Sequence, residues 1–208
     1  MLGNKESKTM TIQKSTVVRD AKNDIEETTI GTAPLLIFRT GSPPANCAAA
    51  DSGTLLASSA LPSDWLSNSS AGTKSKLGTW SGTSSAAGTV GHFRIKDSTG
   101  TTTHIQGTVF QAVPLTTSAL TAANSNVLNF AATTGVMAGM LATGTRIPAN
   151  ATVLATTGTT VILSCATTAG VANATSVSFG GDMNIDNPVL AASQAYTVTA
   201  YSFTAAAA

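Results

Sequence analysis

The sequence predicts an all-β protein: a jelly-roll-like β-sandwich of about seven or eight short strands, led by one short helix and interrupted by a small inserted β-module. Three observations predict it. From Thr32 onward the apolar residues mostly recur with a period of two, the period of a strand. The longer half of the chain is built mainly from Thr, Ala, Ser, Gly and Val, a composition suited to uncharged β-structure. Charge is also segregated. The 108 residues from Thr101 onward hold three charged side chains (Arg146, Asp182 and Asp186), whereas the first 30 residues hold ten of the chain's 21. A hydrophobic content of 42% is too high for a disordered chain, and with 5% aromatics the cores must rest on Val, Leu, Ile and Ala.

Residues 1–30 read as an arm followed by a helix. Ser15 or Thr16 can cap it, Gly31 can end it, and Val17, Ala21 and Ile25 fall on one stripe at i, i+4, i+8. A helix of about 14 residues is marginal alone and must dock, either on its own domain or on a partner. Val17, Ala21 and Ile25 are the candidate partner-docking residues.

Residues 31–112 supply the first part of the sandwich. Leu35–Phe38 is apolar on both faces, as a strand buried on both sides requires. Gly41-Ser-Pro-Pro breaks it. Thr54–Leu61 is the next strand, Ser63–Leu66 a short helical turn that tucks Trp65 inward, and Lys76–Ser81 a strand carrying Trp80. Phe93 and Ile95 alternate with His92, Arg94 and Lys96. Asp97-Ser-Thr-Gly100 is turn chemistry, and Ile105, Gly107 and Val109 alternate with His104, Gln106 and Thr108. With Phe93 and Ile105 inside, His92 and His104 are expected on the exposed face beside Arg94.

Residues 113–181 change texture, with two aromatics (Phe130 and Phe179) and one charge. Short strands are expected at Val127–Ala131, Thr152–Ala155, Thr160–Cys165 and Ser176–Phe179. The stretches beginning at Asn126 and Thr160 are loosely alike. Residues 182–208 return to the first texture. There Tyr196 and Val198 share one face and Tyr201 and Phe203 the other, so a β-bulge or a change of sheet is expected near Ala200. The closing alanines read as a frayed tail.

The chemistry sought in these residues is absent from the pattern. There is no phosphate loop, dinucleotide fingerprint, nucleophile elbow or His-Glu-x-x-His. His92 and His104 have no carboxylate or Cys at ligand spacing. Asp182 and Asp186 on one strand would lie roughly 13 Å apart, too far for one ion. Cys47 and Cys165 do not make a disulfide framework. A net charge of +1 supplies no field for nucleic acid, and no stretch approaches the roughly 18–20 apolar residues of a membrane span. Lys74, Lys76, Arg94 and Lys96 read as an ordinary solvated edge. These readings favour a structural or binding protein: no catalytic residues, no cofactor, no metal, no nucleic acid and no membrane.

Several blocks together carry a resemblance. They are Thr11–Ala21 with Ile25–Gly31, Leu36–Ala57, Gly91–Asp97 with His104–Val109, and Asp182–Asn187 with the Thr-rich final strand. The chain resembles a family of small tailed-bacteriophage proteins described as virion-associated, over about 11–112 and 182–208. Segment 113–181 departs from that pattern and suggests a module inserted on a hairpin loop; it resembles Thr/Gly-rich modules of phage surface proteins. The resemblance implies a virion structural protein assembled in the host cytoplasm, and brings no catalytic residues. The specific expectation is a capsid decoration or cement protein, a homo-oligomer (most simply a trimer) contacting the major capsid protein. The alternatives are a tail, neck or baseplate component, or a glycan-binding module using Trp65 or Trp80.

Overall fold

The computed structural model describes residues 13–205. Apart from residues 13, 14 and 205, the expected arm and the alanine tail lie outside them. Among the described residues the protein is all-β with one N-terminal helix. Helix α1 (Thr16–Ile30) starts where Ser15 accepts the Val18 N–H, and ends where the Gly31 N–H reaches the Glu27 carbonyl. Seven strands follow: β1 (Leu35–Arg39), β2 (Leu55–Ala60), β3 (Thr73–Ser75), β4 (Ser81–Thr83), β5 (Gly88–Thr89), β6 (His92–Lys96) and β7 (Thr103–Phe110). The segment that differs in texture holds β8 (Val113–Thr116), β9 (Val127–Asn129), β10 (Leu141–Gly144), β11 (Val153–Thr156), β12 (Thr160–Leu163) and β13 (Ser176–Gly180). The chain closes with β14 (Met183–Ile185), β15 (Val189–Leu190) and β16 (Ala195–Thr204).

The main sheet has eight strands in the order β2-β1-β6-β7-β14-β16-β3, with β4 also pairing β16; β5 and β15 form a separate ribbon. This sheet curls. The rings of Phe38 on β1 and Tyr196 on β16 meet edge-on at 5.0 Å, although β6, β7 and β14 separate them in the sheet order. The Tyr196 hydroxyl lies 2.8 Å from Ser59 Oγ on β2. Gly82 on β4 permits this closure: a Cβ there would meet the Tyr196 hydroxyl at 2.6 Å and Ser59 Cβ at 3.1 Å. The two layers expected of a sandwich are therefore the two halves of one curled sheet. Between them lie Leu36, Phe38, Leu56, Trp65, Trp80, Phe93, Ile95, Met183, Ile185 and Tyr196, all at most 1% exposed.

The parity change near Ala200 is a register shift. Asn184 pairs Ala200, but Ile185 pairs Val198, so Thr199 is the extra residue and Tyr196, Val198 and Tyr201 all turn inward. Two local expectations are corrected. Ser63–Leu66 forms no helical turn, although Trp65 is fully buried. Lys76–Ser81 is not a strand: Trp80 sits in the link between β3 and β4, its Nε1–H donating to the Leu77 carbonyl at 3.0 Å.

Strands β8–β13 make two three-stranded sheets, β10-β13-β8 and β11-β12-β9, around a second core of Leu128, Phe130, Met140, Val153, Val161, Leu163, Val177 and Phe179. Phe130 and Phe179 meet edge-on at 5.6 Å across it. The two similar stretches lie side by side, with Val161 opposite Leu128. In this nearly charge-free unit threonine hydroxyls satisfy loop carbonyls: Thr117 donates to Ala172, Thr133 to Thr157 and Thr167 to Ala122.

The flanking strands do not form a hairpin, as the insertion reading supposed. β7 and β14 run parallel. Pairing involves only the last two residues of β7, Val109 and Phe110, so a link need step back only about two residues, roughly 7 Å, to reach β14. The ends of the segment also adjoin, with Val113 opposite Phe179. Replacing 113–181 with a short Gly-Ser link is therefore expected to leave the main core folded. Trp65 and Trp80 both lie in that core and the deleted segment has no Trp or Tyr, so tryptophan emission reads the outcome directly. A molten remainder would contradict two separable cores.

Candidate docking surface

Helix α1 docks with its polar side inward. Asp20 Oδ1 accepts the Gly72 N–H at 2.7 Å and the Ser69 hydroxyl at 2.9 Å. Asn23, 1% exposed, donates through Nδ2 to the Gly72 carbonyl and to Ser69 Oγ. Asp24 Oδ1 accepts the Ser69 N–H, Glu27 Oε1 accepts the Leu66 N–H, and Lys74 reaches both acids, at 2.8 Å to Asp24 and 3.0 Å to Glu27. Positions 20, 23, 24 and 27 form a stripe at helical spacing. The irregular segment 66–74 leaves backbone N–H groups without ladder partners, and these acids satisfy them. Gly72 makes close approach possible: its φ is +79°, and a Cβ there would strike the Arg19 guanidinium at 2.2 Å.

The electrostatics follow from this docking. Lys74 is 2% exposed, not part of a solvated edge. Burial pulls its ammonium down, but the hydrogen bonds and charges of Asp24 and Glu27 prevail and hold it above its ordinary value. The Lys74 hydrogen bond, followed by the Ser69 N–H, holds the Asp24 carboxyl below the usual carboxylate range.

The adjoining side of the helix carries Val17, Ala21 and Ile25, and all three are exposed along one ridge. Val17 is 77% exposed, Ile25 59% and Val18, beside them, 46%; Ala21 is also exposed. The sequence located the stripe. It left open which side docks, because the N–H donors that bind the polar side come from a loop about 40 residues further along the chain. Beside the ridge, Ile25 and Glu26 form one wall of a groove of about 540 Å³, and Ile105, Tyr201 and Phe203 line it from the sheet. Burial pushes the Glu26 carboxyl up.

A second polar constellation lies on the outer face of β1, β6 and β7, and it corrects the reading of the histidines. His92 is 0% and Arg94 1% exposed, because the link 40–54 between β1 and β2 folds back across that face. Arg94 donates to Asp51 and to the carbonyls of Cys47 and Ala49, Gln106 Nε2 donates to the Pro44 carbonyl, and His92 Nδ1 lies 2.9 Å from the Gly41 carbonyl. His104 is half-buried, and its carbonyl accepts from the Cys47 thiol. Asp51 binds Arg39, Arg94 and Lys96 together. Burial pushes its carboxyl up, but the hydrogen bonds and charges of these three cations outweigh it and hold the group below its ordinary value.

Trp65 and Trp80 are fully buried, so neither offers a platform for a sugar ring. Among the described residues no three His, Cys, Asp or Glu converge as metal ligands, and no helix is long and apolar enough to cross a membrane. Asp182 accepts from the Thr108 N–H and hydroxyl, and Asp186 from the N–H groups of Asn187 and Thr197. A cleft of about 790 Å³ separates β10 and β13 from β14 and β16. Compared with known proteins, the chain matches no family model, no curated protein and no solved structure.

Proposed function

We propose that this chain is a structural protein of a tailed-bacteriophage virion, specifically a decoration or cement protein of the capsid shell. The outward apolar ridge of α1 carries the reading. A helix that binds its own domain through acids and amides, and presents Val17, Val18, Ala21 and Ile25 to solvent, has its apolar side free for another protein. The resemblance over 11–112 and 182–208, and a surface with almost no charge beyond Thr101, point the same way.

Cementing needs little affinity per copy. Burying a Val or Ile side chain contributes about 1.5–3 kcal/mol before association costs. Contacts repeated round a closed symmetric shell add through effective concentration, so opening the shell must break many of them at once. In this reading α1 anchors each copy and residues 113–181 present a Thr-rich face to neighbours.

Quantifying the protein in purified particles tests the proposal. On the order of hundreds of copies, in proportion to the major capsid protein, are expected for a shell component. About a dozen or fewer would move it to the neck or tail, whose parts follow lower symmetry. Absence from particles would end the virion reading.

A further inference from the structure

The segment 40–54 lies across the outer face of β1, β6 and β7, yet none of its residues is fully buried. Polar contacts hold it: the carbonyls of Gly41, Pro44, Cys47 and Ala49 accept from side chains of the sheet, and Asp51 accepts from three cations. His92 sits beneath it with no exposed surface. Its Nδ1 faces the Gly41 carbonyl, and its Nε2 is buried with no hydrogen-bond partner among the described residues.

We propose that segment 40–54 is an acid-released strap: protonation of His92 beneath it lifts it from the sheet while the core stays folded.

The groups that face His92 set the direction. Arg39 stands opposite on β1, Arg94 two residues along β6, with Lys96 beyond it. Across on β7 is Thr108, whose hydroxyl donates to Asp182, while His104 lies further along that strand. The strap itself contributes Asp51 and the Gly41 carbonyl. Among the described residues Asp51 is therefore the one carboxylate directly on this cationic face, and Arg39, Arg94 and Lys96 already share it. An imidazolium would add a fourth positive charge and bury an N–H at Nε2 with no acceptor among the described residues. Lifting the strap admits water to both.

Burial, followed by the charges of Arg39 and Arg94, lowers the His92 imidazole below its ordinary value, against the Gly41 carbonyl and Asp51. A group lowered in the closed state stabilises that state fully above its free value of about 6.5, and the contribution is lost as pH falls below it. The strap thus stays closed at neutral pH and releases in mild acid.

Cys47 on the strap is the probe, and Cys165, in the second core's unit, is the internal reference. Both thiols are labelled with dithiodipyridine, which reacts in acid, and their rates are compared by peptide mass spectrometry. The Cys47-to-Cys165 rate ratio is expected to rise about tenfold between about pH 7.5 and about pH 5, because a single protonation shifts an equilibrium by at most tenfold per pH unit. Tryptophan emission should stay unchanged over the same range. In His92→Asn, whose amide can still donate to the Gly41 carbonyl and does not titrate, the ratio should stay flat. A flat ratio in the wild-type protein, an equal rise in His92→Asn, or a rise that tracks tryptophan emission would each overturn the proposal. If His92→Asn fails to fold, the wild-type protein decides by NMR: the His92 ring and the amides of 41, 42 and 45–53 should titrate with one midpoint below 6.5, and separate midpoints would overturn it.

Discussion

Replacing Trp80 with alanine is expected to destabilise the main core by about 3–5 kcal/mol, the cost of truncating a fully buried large aromatic. The ring has no exposed surface. It contacts Trp65 at 5.8 Å and Tyr201 at 5.3 Å, and Tyr201 in turn meets Phe93 edge-on at 5.7 Å. Removing it opens a cavity in the middle of an aromatic chain and leaves the Leu77 carbonyl without its donor. Such a loss is a large share of the roughly 5–15 kcal/mol that holds a domain together. The second core shares no residue with the first, so its own transition should persist. Calorimetry of Trp80→Ala, with emission from Trp65, checks both expectations. A change within about 0.5 kcal/mol would mean that the ring is exposed, as a sugar platform would be.

Much of the fold was legible in local pattern. The cap at Ser15, the stop at Gly31, the doubly buried Leu36–Phe38, the turn at Asp97 and the bulge beside Ala200 each depend on residues close in sequence, where period and turn chemistry carry the information. What was misread depends on a distant segment. His92 and Arg94 alternate with Phe93 and Ile95 as exposed residues should, and only the return of 40–54 over the sheet buries them. Lys74 looked solvated because its partners, Asp24 and Glu27, lie about 50 residues earlier on a helix. The pairing of β7 with β14 across the whole of 113–181 leaves no local trace, so the sequence reads as a hairpin where the strands run parallel.

The apolar stripe of α1 is the instructive case. Its residues were found by spacing alone, because 17, 21 and 25 are the apolar positions of one helix face. An apolar stripe on a helix ordinarily faces its own core. Here the polar side meets unpaired backbone N–H groups and a buried ammonium, interactions that need carboxylates, and the apolar side is left outside. That arrangement is what the proposed docking role rests on: Val17, Ala21 and Ile25 are exposed and contribute little to the fold of this chain.

The most direct test is to charge that ridge. In Val17→Glu with Ile25→Lys the net charge is unchanged and the new acid sits in the first helical turn, where it is favourable. Because both side chains are exposed, thermal stability should stay within about 0.5 kcal/mol of the wild type. If the proposed interface buries both side chains, losing them at about 1.5–3 kcal/mol each should lower incorporation into particles by roughly a hundredfold or more. A stably folded double variant that still enters particles at the wild-type copy number would contradict the ridge as the docking surface.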